Sequence, residues 1–139
     1  MITSFDIATM LQTSGIGTLA SDIFVGKEPD YDGIDDAIVT VLDTGGFKPN
    51  PAYLRDEPTV QVRVRGAPGD YLGTFGKAQS IKDVLLGADT QVINGSRYVR
   101  FSQIGDITPL GYDTNNRPLL VSNWALVREM DTGGNRQSL

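Results

Sequence analysis

The residues with the clearest potential for chemistry form an Asp-Thr-Gly string at Asp43-Thr44-Gly45, and the string recurs at Asp131-Thr132-Gly133. Two aspartates brought together in this way can share one proton and activate a water molecule for hydrolysis. This chemistry needs neither histidine nor cysteine, and the chain contains neither. The composition therefore permits a carboxylate hydrolase, excludes a cysteine nucleophile and leaves a serine nucleophile without its usual base.

The elements around these aspartates favour a structural role for them. The string is the signature of aspartic proteases, whose retroviral type is almost entirely β, whereas helical patterns open this chain and follow residue 70. The strand before Asp131 ends in the polar run Arg128-Glu129-Met130, which does not suit a buried active-site loop. Asp-Thr-Gly is also an ordinary turn, in which Asp accepts backbone hydrogen bonds and Gly takes positive φ. A retropepsin-like aspartic protease that uses Asp43 is therefore the lesser alternative.

A basic strand is the second candidate feature. Apolar and polar residues alternate between Thr59 and Arg65: the apolar ones are Val60, Val62 and Val64, and the polar ones are Gln61, Arg63 and Arg65. Successive side chains of a strand point to opposite faces, so one face is core and the other carries two guanidinium groups ~7 Å apart. Because burying an unpaired charge is costly, we expect water or an acidic partner to cover the second face.

An acidic segment precedes this strand. Five carboxylates fall within nine residues, at Glu28, Asp30, Asp32, Asp35 and Asp36. A solvated loop is the usual role of such a charge run, and a cation site or an acidic surface for a basic partner are the alternatives. The spacing does not match a calcium loop, because the glycine comes too early and no glutamate stands at the twelfth position.

Composition limits the class of protein. The chain has 139 residues, is 40% hydrophobic and carries a net charge of −5, which suits one compact domain with little affinity for nucleic acid. The lack of cysteine and histidine excludes disulfides and thiolate-bound metals and removes the commonest proton shuttle. No apolar run approaches the ~20 residues that span a bilayer, and no signal leader opens the chain. We expect a soluble protein that is made in a cytoplasm and has no membrane partner.

The elements that must position these residues follow from capping residues and periodicity. Thr3 or Ser4 is predicted to cap a helix that runs to about Ser14, and Asp70 to cap one that runs to about Leu86. The stripe of the second helix that packs on the sheet is predicted at Tyr71, Phe75, Ala78, Ile81 or Lys82, and Leu85. Strands are predicted at 23–25, 37–42, 59–65, 91–93, 96–103 and 119–129, with a hairpin turn at Asn94-Gly95.

This order of elements predicts an α+β fold in which two helices pack on one face of a largely antiparallel sheet. The other face is then open to water or to another subunit, and it carries Gln61, Arg63 and Arg65 together with Arg97 or Arg100. Residues 1–130 are expected to form a single domain, and residues 131–139 a flexible C-terminal tail.

Five segments, taken in order, resemble the tail terminator proteins of tailed bacteriophages, which are also labelled minor capsid or tail completion proteins. The segments are 37–46 with its Asp43-Thr44-Gly45-Gly46 end, 56–66 with the alternating strand, 81–87, Ile93-Asn94-Gly95-Ser96-Arg97-Tyr98 and Leu110-Gly111-Tyr112-Asp113. The resemblance lies in their order and spacing across residues 35–130. In this family the Asp-Thr-Gly-Gly string resembles a strand-ending turn, which further disfavours the protease.

The resemblance implies structural work in a virion, not an enzyme. Family members form a six-fold ring that caps the tail tube and supplies the tail side of the head–tail joint, with DNA passing through without sequence-specific binding. Implied partners are further copies of the chain, the tail tube protein and a head–tail connector or stopper protein. The implied location is the tail–neck junction of a siphophage virion, assembled in the host bacterial cytoplasm. No catalytic, cofactor-binding or metal-binding residue is implied. A head–tail connector (neck or head completion) protein is the alternative.

A closed ring needs one patch on each subunit to meet a different patch on its neighbour. We predict that a basic patch of Arg63 and Arg65, flanked by Gln61, meets the acidic segment between Glu28 and Asp36 across the subunit boundary. Such a pairing would make assembly directional and sensitive to salt. The acidic segment could equally line the channel or meet the tube.

Overall fold

The computed structural model describes residues 2–29, 37–130 and 133–138. Within these residues the elements are α1 (Thr3–Thr13), β1 (Ile23–Val25), β2 (Ile38–Gly46), β3 (Arg55–Asp56), β4 (Pro58–Arg65), α2 (Tyr71–Leu85), β5 (Gln91–Ile93), β6 (Ser96–Tyr112) and β7 (Pro118–Glu129). Helices and strands occur in the same domain without regular βαβ alternation, so the predicted α+β class is confirmed.

The strands form a sheet in the spatial order β1-β2-β4-β7-β6-β5, and β3 pairs with β7 beyond the end of β4. β1 runs parallel to β2, whereas the other pairings among the described strands are antiparallel. The sheet is therefore mixed, and it is largely antiparallel, as predicted, with β1–β2 as the parallel pair among the described strands. A parallel pair needs a long crossover, and the acidic segment between Val25 and Ile38 supplies it.

The alternation of β4 is confirmed. Val60, Val62 and Val64 are buried on the face of the sheet that carries the main apolar core. Both helices contribute to the same buried cluster, through Ile7, Ala8, Met10 and Leu11 of α1 and Ala78, Ile81 and Leu85 of α2, and β7 contributes Trp124. Gln61, Arg63 and Arg65 consequently stand on the opposite face.

The start of α1 differs from the prediction. The helix begins at Thr3 behind Ile2, so Thr3 and Ser4 lie inside its first turn and are buried there. Their predicted role as caps is wrong, because the cap comes from a distant strand, as described below. The predicted cap of α2 is confirmed: the Asp70 carboxylate accepts a hydrogen bond from the backbone N–H of Gly73 at 3.0 Å.

The predicted stripe of α2 is confirmed at Ala78, Ile81 and Leu85 and is wrong at Tyr71 and Phe75. Tyr71 and Phe75 are each 36% exposed, whereas Thr74 is buried. The reason is the close approach of the backbone at Gly66, where a Cβ would overlap the Thr74 side chain. Glycine at this position lets α2 lie on the sheet through Thr74 rather than through an aromatic ring.

β6 is longer than predicted, since it continues beyond Gln103 to Tyr112 through Gly105 and Pro109. Pairing with β7 carries it across these residues, with register shifts between Ile104 and Thr108 and between Pro109 and Gly111. β5 and β6 are joined through Asn94 and Gly95, both at positive φ, and Ile93 is paired with Ser96. Asn94 thereby lies beside α1, where its amide binds Asp6.

Candidate functional site

The polar face of β4 holds the three residues of this strand that the sequence singled out. Arg63 is paired with Thr40 of β2 on one side and with Val121 of β7 on the other. Gln61 and Arg65, two residues before and after it, are paired with β2 and β7 in the same way. β4 is paired on both sides. Gln61, Arg63 and Arg65 therefore stand in the middle of the second face of the sheet rather than at its edge.

Glu28 lies over this face and binds both arginines within the same chain. The Nε–H of Arg63 donates to Glu28 Oε2 at 2.9 Å, and Nη1 of Arg65 donates to Glu28 Oε1 at 3.4 Å. Nη1 of Arg65 also donates to the carbonyl oxygen of Pro29 at 2.5 Å. One carboxylate thus bridges two guanidinium groups, and the chain that follows β1 covers part of the second face.

The residues of this network differ in exposure. The Arg65 side chain is 3% exposed, whereas that of Arg63 is 26% exposed. Beyond Arg63 the network continues, because Arg63 donates to Gln61 Oε1 at 3.5 Å and Gln61 Nε2 donates to Asn123 Oδ1 at 3.2 Å. Arg65 is therefore an internal part of the domain. Arg63, Gln61 and Asn123 form a half-buried polar row on this face.

The acidic segment is only partly within the described residues. Glu28 is described, whereas Asp30, Asp32, Asp35 and Asp36 lie outside the described ranges. Contact of the acidic segment with Arg63 and Arg65 across a subunit boundary therefore stays a prediction. Glu28 itself is engaged with both arginines inside the chain.

Asp43, the candidate protease residue, caps α1. Its Oδ1 accepts the backbone N–H of Ser4 at 3.0 Å, and its Oδ2 accepts the Ser4 hydroxyl at 2.6 Å. The first N–H groups of a helix lack partners within the helix and favour a nearby negative charge. Gly45 and Gly46 follow at positive φ, where β2 has an irregular register with β4. Asp131 and Thr132 of the second string lie outside the described residues.

Replacing Asp43 by alanine should lower the free energy of unfolding by about 1 kcal/mol, because two hydrogen bonds at the N-terminus of α1 are lost. Asp43→Asn retains an acceptor oxygen and should lose less. Urea denaturation followed by circular dichroism measures both changes, with Asp89→Ala in an exposed loop as the control. Peptide cleavage by the unmodified protein that disappears in Asp43→Asn would contradict the purely structural role.

A second charged cluster, which the sequence did not predict, centres on Asp56 of β3. Arg136 donates from Nη1 and Nη2 to the two Asp56 oxygens at 2.7 and 3.4 Å, and Arg128 Nη2 approaches Asp56 Oδ2 at 3.6 Å. Arg128 also donates to the Thr3 hydroxyl at 2.8 Å. The cluster therefore joins α1, β3, β7 and the C-terminal segment. Thr3 and Asp56 are far from each other and from the two arginines in the chain, so spacing gave no signal for the cluster.

The hydrogen bond from Arg136 holds the pKa of Asp56 below its ordinary value of 3.8, against the opposing effect of burial, and the charges of Arg136 and Arg128 add to the lowering. The unfolded chain therefore binds this proton more readily than the folded chain. We expect the stabilisation to be complete above pH ~4 and to be lost as the pH falls through the lowered pKa.

The Arg136→Ala variant tests this dependence. The difference in free energy of unfolding between the unmodified protein and Arg136→Ala should shrink as the pH falls from 5 to 2.5, since protonated Asp56 no longer binds the guanidinium group. Urea titrations at several pH values measure it, with the exposed Arg100→Ala as the matched control. A difference that stays constant down to pH 2.5 would contradict the assignment.

A cleft of about 400 Å³ lies between α1, α2 and β5, and its lining residues, among them Thr9, Gln91 and Asn94, include no ionisable group. The described residues contain no cluster of three or more acidic side chains that could hold a metal ion. None of the described helices is long and apolar enough to cross a membrane.

One known protein family matches most of this chain. The profile of a family described as "Bacteriophage tail terminator protein" matches residues 10–129, from the middle of α1 to the end of β7. The chain belongs to this family. The polar row, the Glu28 bridge and the Asp43 cap of this tail terminator all lie inside the matched range, except for Ser4.

Among solved structures, the tail terminator is similar in fold to a chain of the structure described as "Virion of native gene transfer agent (GTA) particle". The TM-score is 0.52, with 88% of this chain and 84% of that chain covered, at 14% sequence identity. At this identity the likeness concerns the fold alone. No curated protein matches the sequence.

Proposed function

We propose that this tail terminator assembles into a closed ring of six copies at the tail–neck junction of a siphophage virion. The ring ends polymerisation of the tail tube and forms the tail side of the head–tail joint, where it meets a connector or stopper protein. DNA passes through the ring without sequence-specific binding, in keeping with the net charge of −5. The observation that carries the proposal is the family match across residues 10–129.

The polar row of Arg63, Gln61 and Asn123 is the proposed contact surface on one side of each subunit. It is prearranged by Glu28 and Arg65, so little side-chain freedom is lost when a partner binds. The acidic residues of the segment, Asp30, Asp32, Asp35 and Asp36, are the proposed complement on the next subunit. The contact is heterologous, as a closed ring requires.

The proposed role needs no catalysis and no cofactor. The carboxylate of Asp43 is bound to Ser4, so it is not presented to a substrate in the way that a shared-proton pair requires. The chain acts as one domain over residues 1–130. We also propose that the tail beyond residue 130 can move relative to the domain. In this structure Arg136 and Gln137 contact the domain.

Assembly with tail tubes tests the function. Purified protein added to growing tubes of the tube protein should stop their elongation, and negative-stain microscopy should show rings of about six subunits at tube ends. Arg63→Ala should reduce ring formation, while Lys77→Ala, on the helix that packs against the opposite face of the sheet, serves as the control. The proposal would be overturned if the protein remained monomeric and neither bound tail tubes nor stopped their elongation. Binding to connector proteins without binding to tubes would favour the head-side alternative.

A further inference from the structure

The described part of the C-terminal segment, residues 133–138, makes a turn and is then joined to the loop before β3 by a single β-bridge. Gln137 is the parallel bridge partner of Tyr53. The backbone N–H of Gln137 donates to the carbonyl of Ala52 at 2.8 Å, and the backbone N–H of Leu54 donates to the carbonyl of Gln137 at 2.7 Å. Main-chain bonds of this kind recognise an extended peptide whatever chain it belongs to.

Arg136 anchors the segment in a site made of several oxygen atoms. Besides its paired bonds to the Asp56 carboxylate, Nη1 of Arg136 donates to the carbonyl oxygens of Asn50 and Tyr53 at 3.2 and 3.4 Å. We call residues 50–56 the tail receptor. Paired bonds between a guanidinium group and a carboxylate fix orientation as well as affinity, so the receptor fits an extended segment with one arginine.

The polar interactions of the C-terminal segment are made with the tail receptor. Among the described residues, the hydrogen bonds and ion pairs found for 133–138 all go to residues 50–56. Most of the segment is exposed, and Arg136 is only partly covered. Its release uncovers Leu54, against which Gly133 packs, and leaves the packing around Trp124 intact.

We propose that the tail receptor binds the C-terminal segment of a neighbouring copy when the chain assembles, so that the segments are exchanged around the ring. This inference rests on the proposed ring. Receptor and segment are two different patches of one chain that already fit each other, which is the requirement for a heterologous contact. Exchange replaces each contact within a chain by an identical contact between chains, and the fixed spacing of a ring holds the neighbouring segment at high effective concentration.

Single-cysteine variants test the exchange, because the chain has no cysteine of its own. Tyr53→Cys and Gln137→Cys change two exposed bridge partners, and strands paired in this way lie about 5 Å apart, within reach of a short thiol crosslinker. The two single variants are mixed, assembled and crosslinked. We expect covalent dimers that contain one chain of each variant, and we expect the variant with both cysteines to give covalent chains longer than a dimer.

Arg136→Ala supplies the control within the site, and Lys77→Ala in α2 the control outside it. Introduced beside Gln137→Cys, Arg136→Ala should lower the yield of crosslinked dimer about ten-fold, whereas Lys77→Ala should leave the yield unchanged. A double-cysteine variant that crosslinks only within one chain, together with mixed singles that give no dimer, overturns the exchange whether or not rings form. Rings are scored separately by microscopy, so the failure of the ring and the failure of the exchange are distinguishable.

Discussion

Asp6→Ala is expected to lower the free energy of unfolding of this tail terminator by about 3 kcal/mol. Asp6 and Tyr98 are both fully buried, and the Tyr98 hydroxyl donates to Asp6 Oδ2. The other oxygen, Asp6 Oδ1, accepts from the side-chain amide of Asn94 at 2.9 Å. Truncation removes the carboxylate that accepts hydrogen bonds from the Tyr98 hydroxyl and the Asn94 amide. The buried Tyr98 hydroxyl then lacks this acceptor, and α1 loses its link to the β5–β6 connection.

Three variants separate the hydrogen bonds from the packing. Tyr98→Phe and Asp6→Asn should each lower the free energy of unfolding by about 1–2 kcal/mol, because the first removes one donor and the second offers one acceptor to two donors. Combining Asp6→Ala with Tyr98→Phe should cost at least 1 kcal/mol less than the sum of the single changes. Urea denaturation with tryptophan fluorescence measures all of them. Strict additivity, or an Asp6→Ala loss under 1 kcal/mol, would contradict the buried network.

The parts of the fold that were predictable depend on neighbouring residues. The valines of β4 alternate with polar residues, and period two indicates a strand with a single core face, as the structure has it. Asp70 stands three residues before Gly73, so its cap of α2 can be inferred from the local sequence. Each of these features is decided within a few residues.

The features that were mispredicted depend on distant parts of the chain. Ser4 carries a good capping side chain, yet the cap of α1 comes from Asp43, 39 residues away. Tyr71 and Phe75 have the spacing of a core stripe, but the approach of Gly66 to Thr74 turns α2 so that both rings are partly exposed. Periodicity fixes the spacing of a stripe and leaves the rotation of the helix to tertiary packing.

The placement of two arginines on one face of β4 was predictable, whereas the group that contacts them was not. Water or an acidic partner could cover that face, and Glu28 of the same chain binds both arginines. Whether the cover comes from the same chain or from a neighbour depends on the path of the crossover from β1 to β2. Asp6 was the clearest missed signal, since it is a lone acid between Phe5 and Ile7 in an apolar helix.

Arg65→Ala and Arg63→Ala are expected to have opposite effects on stability and assembly. Arg65 is almost completely buried and donates to Glu28 and to the Pro29 carbonyl, so its truncation should lower the free energy of unfolding by about 3 kcal/mol. Arg63 is partly solvated, so its ion pair should be worth no more than about 1 kcal/mol. Thermal and urea denaturation of the two variants measure this difference, with Arg100→Ala as the control.

Assembly provides the second measurement for this pair of variants. If the polar row meets a partner, Arg63→Ala remains folded and loses ring formation, and raised salt weakens assembly of the unmodified protein in the same way. Arg65→Ala, assayed at low temperature where it is still folded, should form rings as long as Glu28 still binds Arg63. Equal ring formation by Arg63→Ala and the unmodified protein would show that the row is a hydrated surface. Whichever result is found, Arg65 is buried within the domain, and Arg63 is the one of these two arginines that a partner could contact.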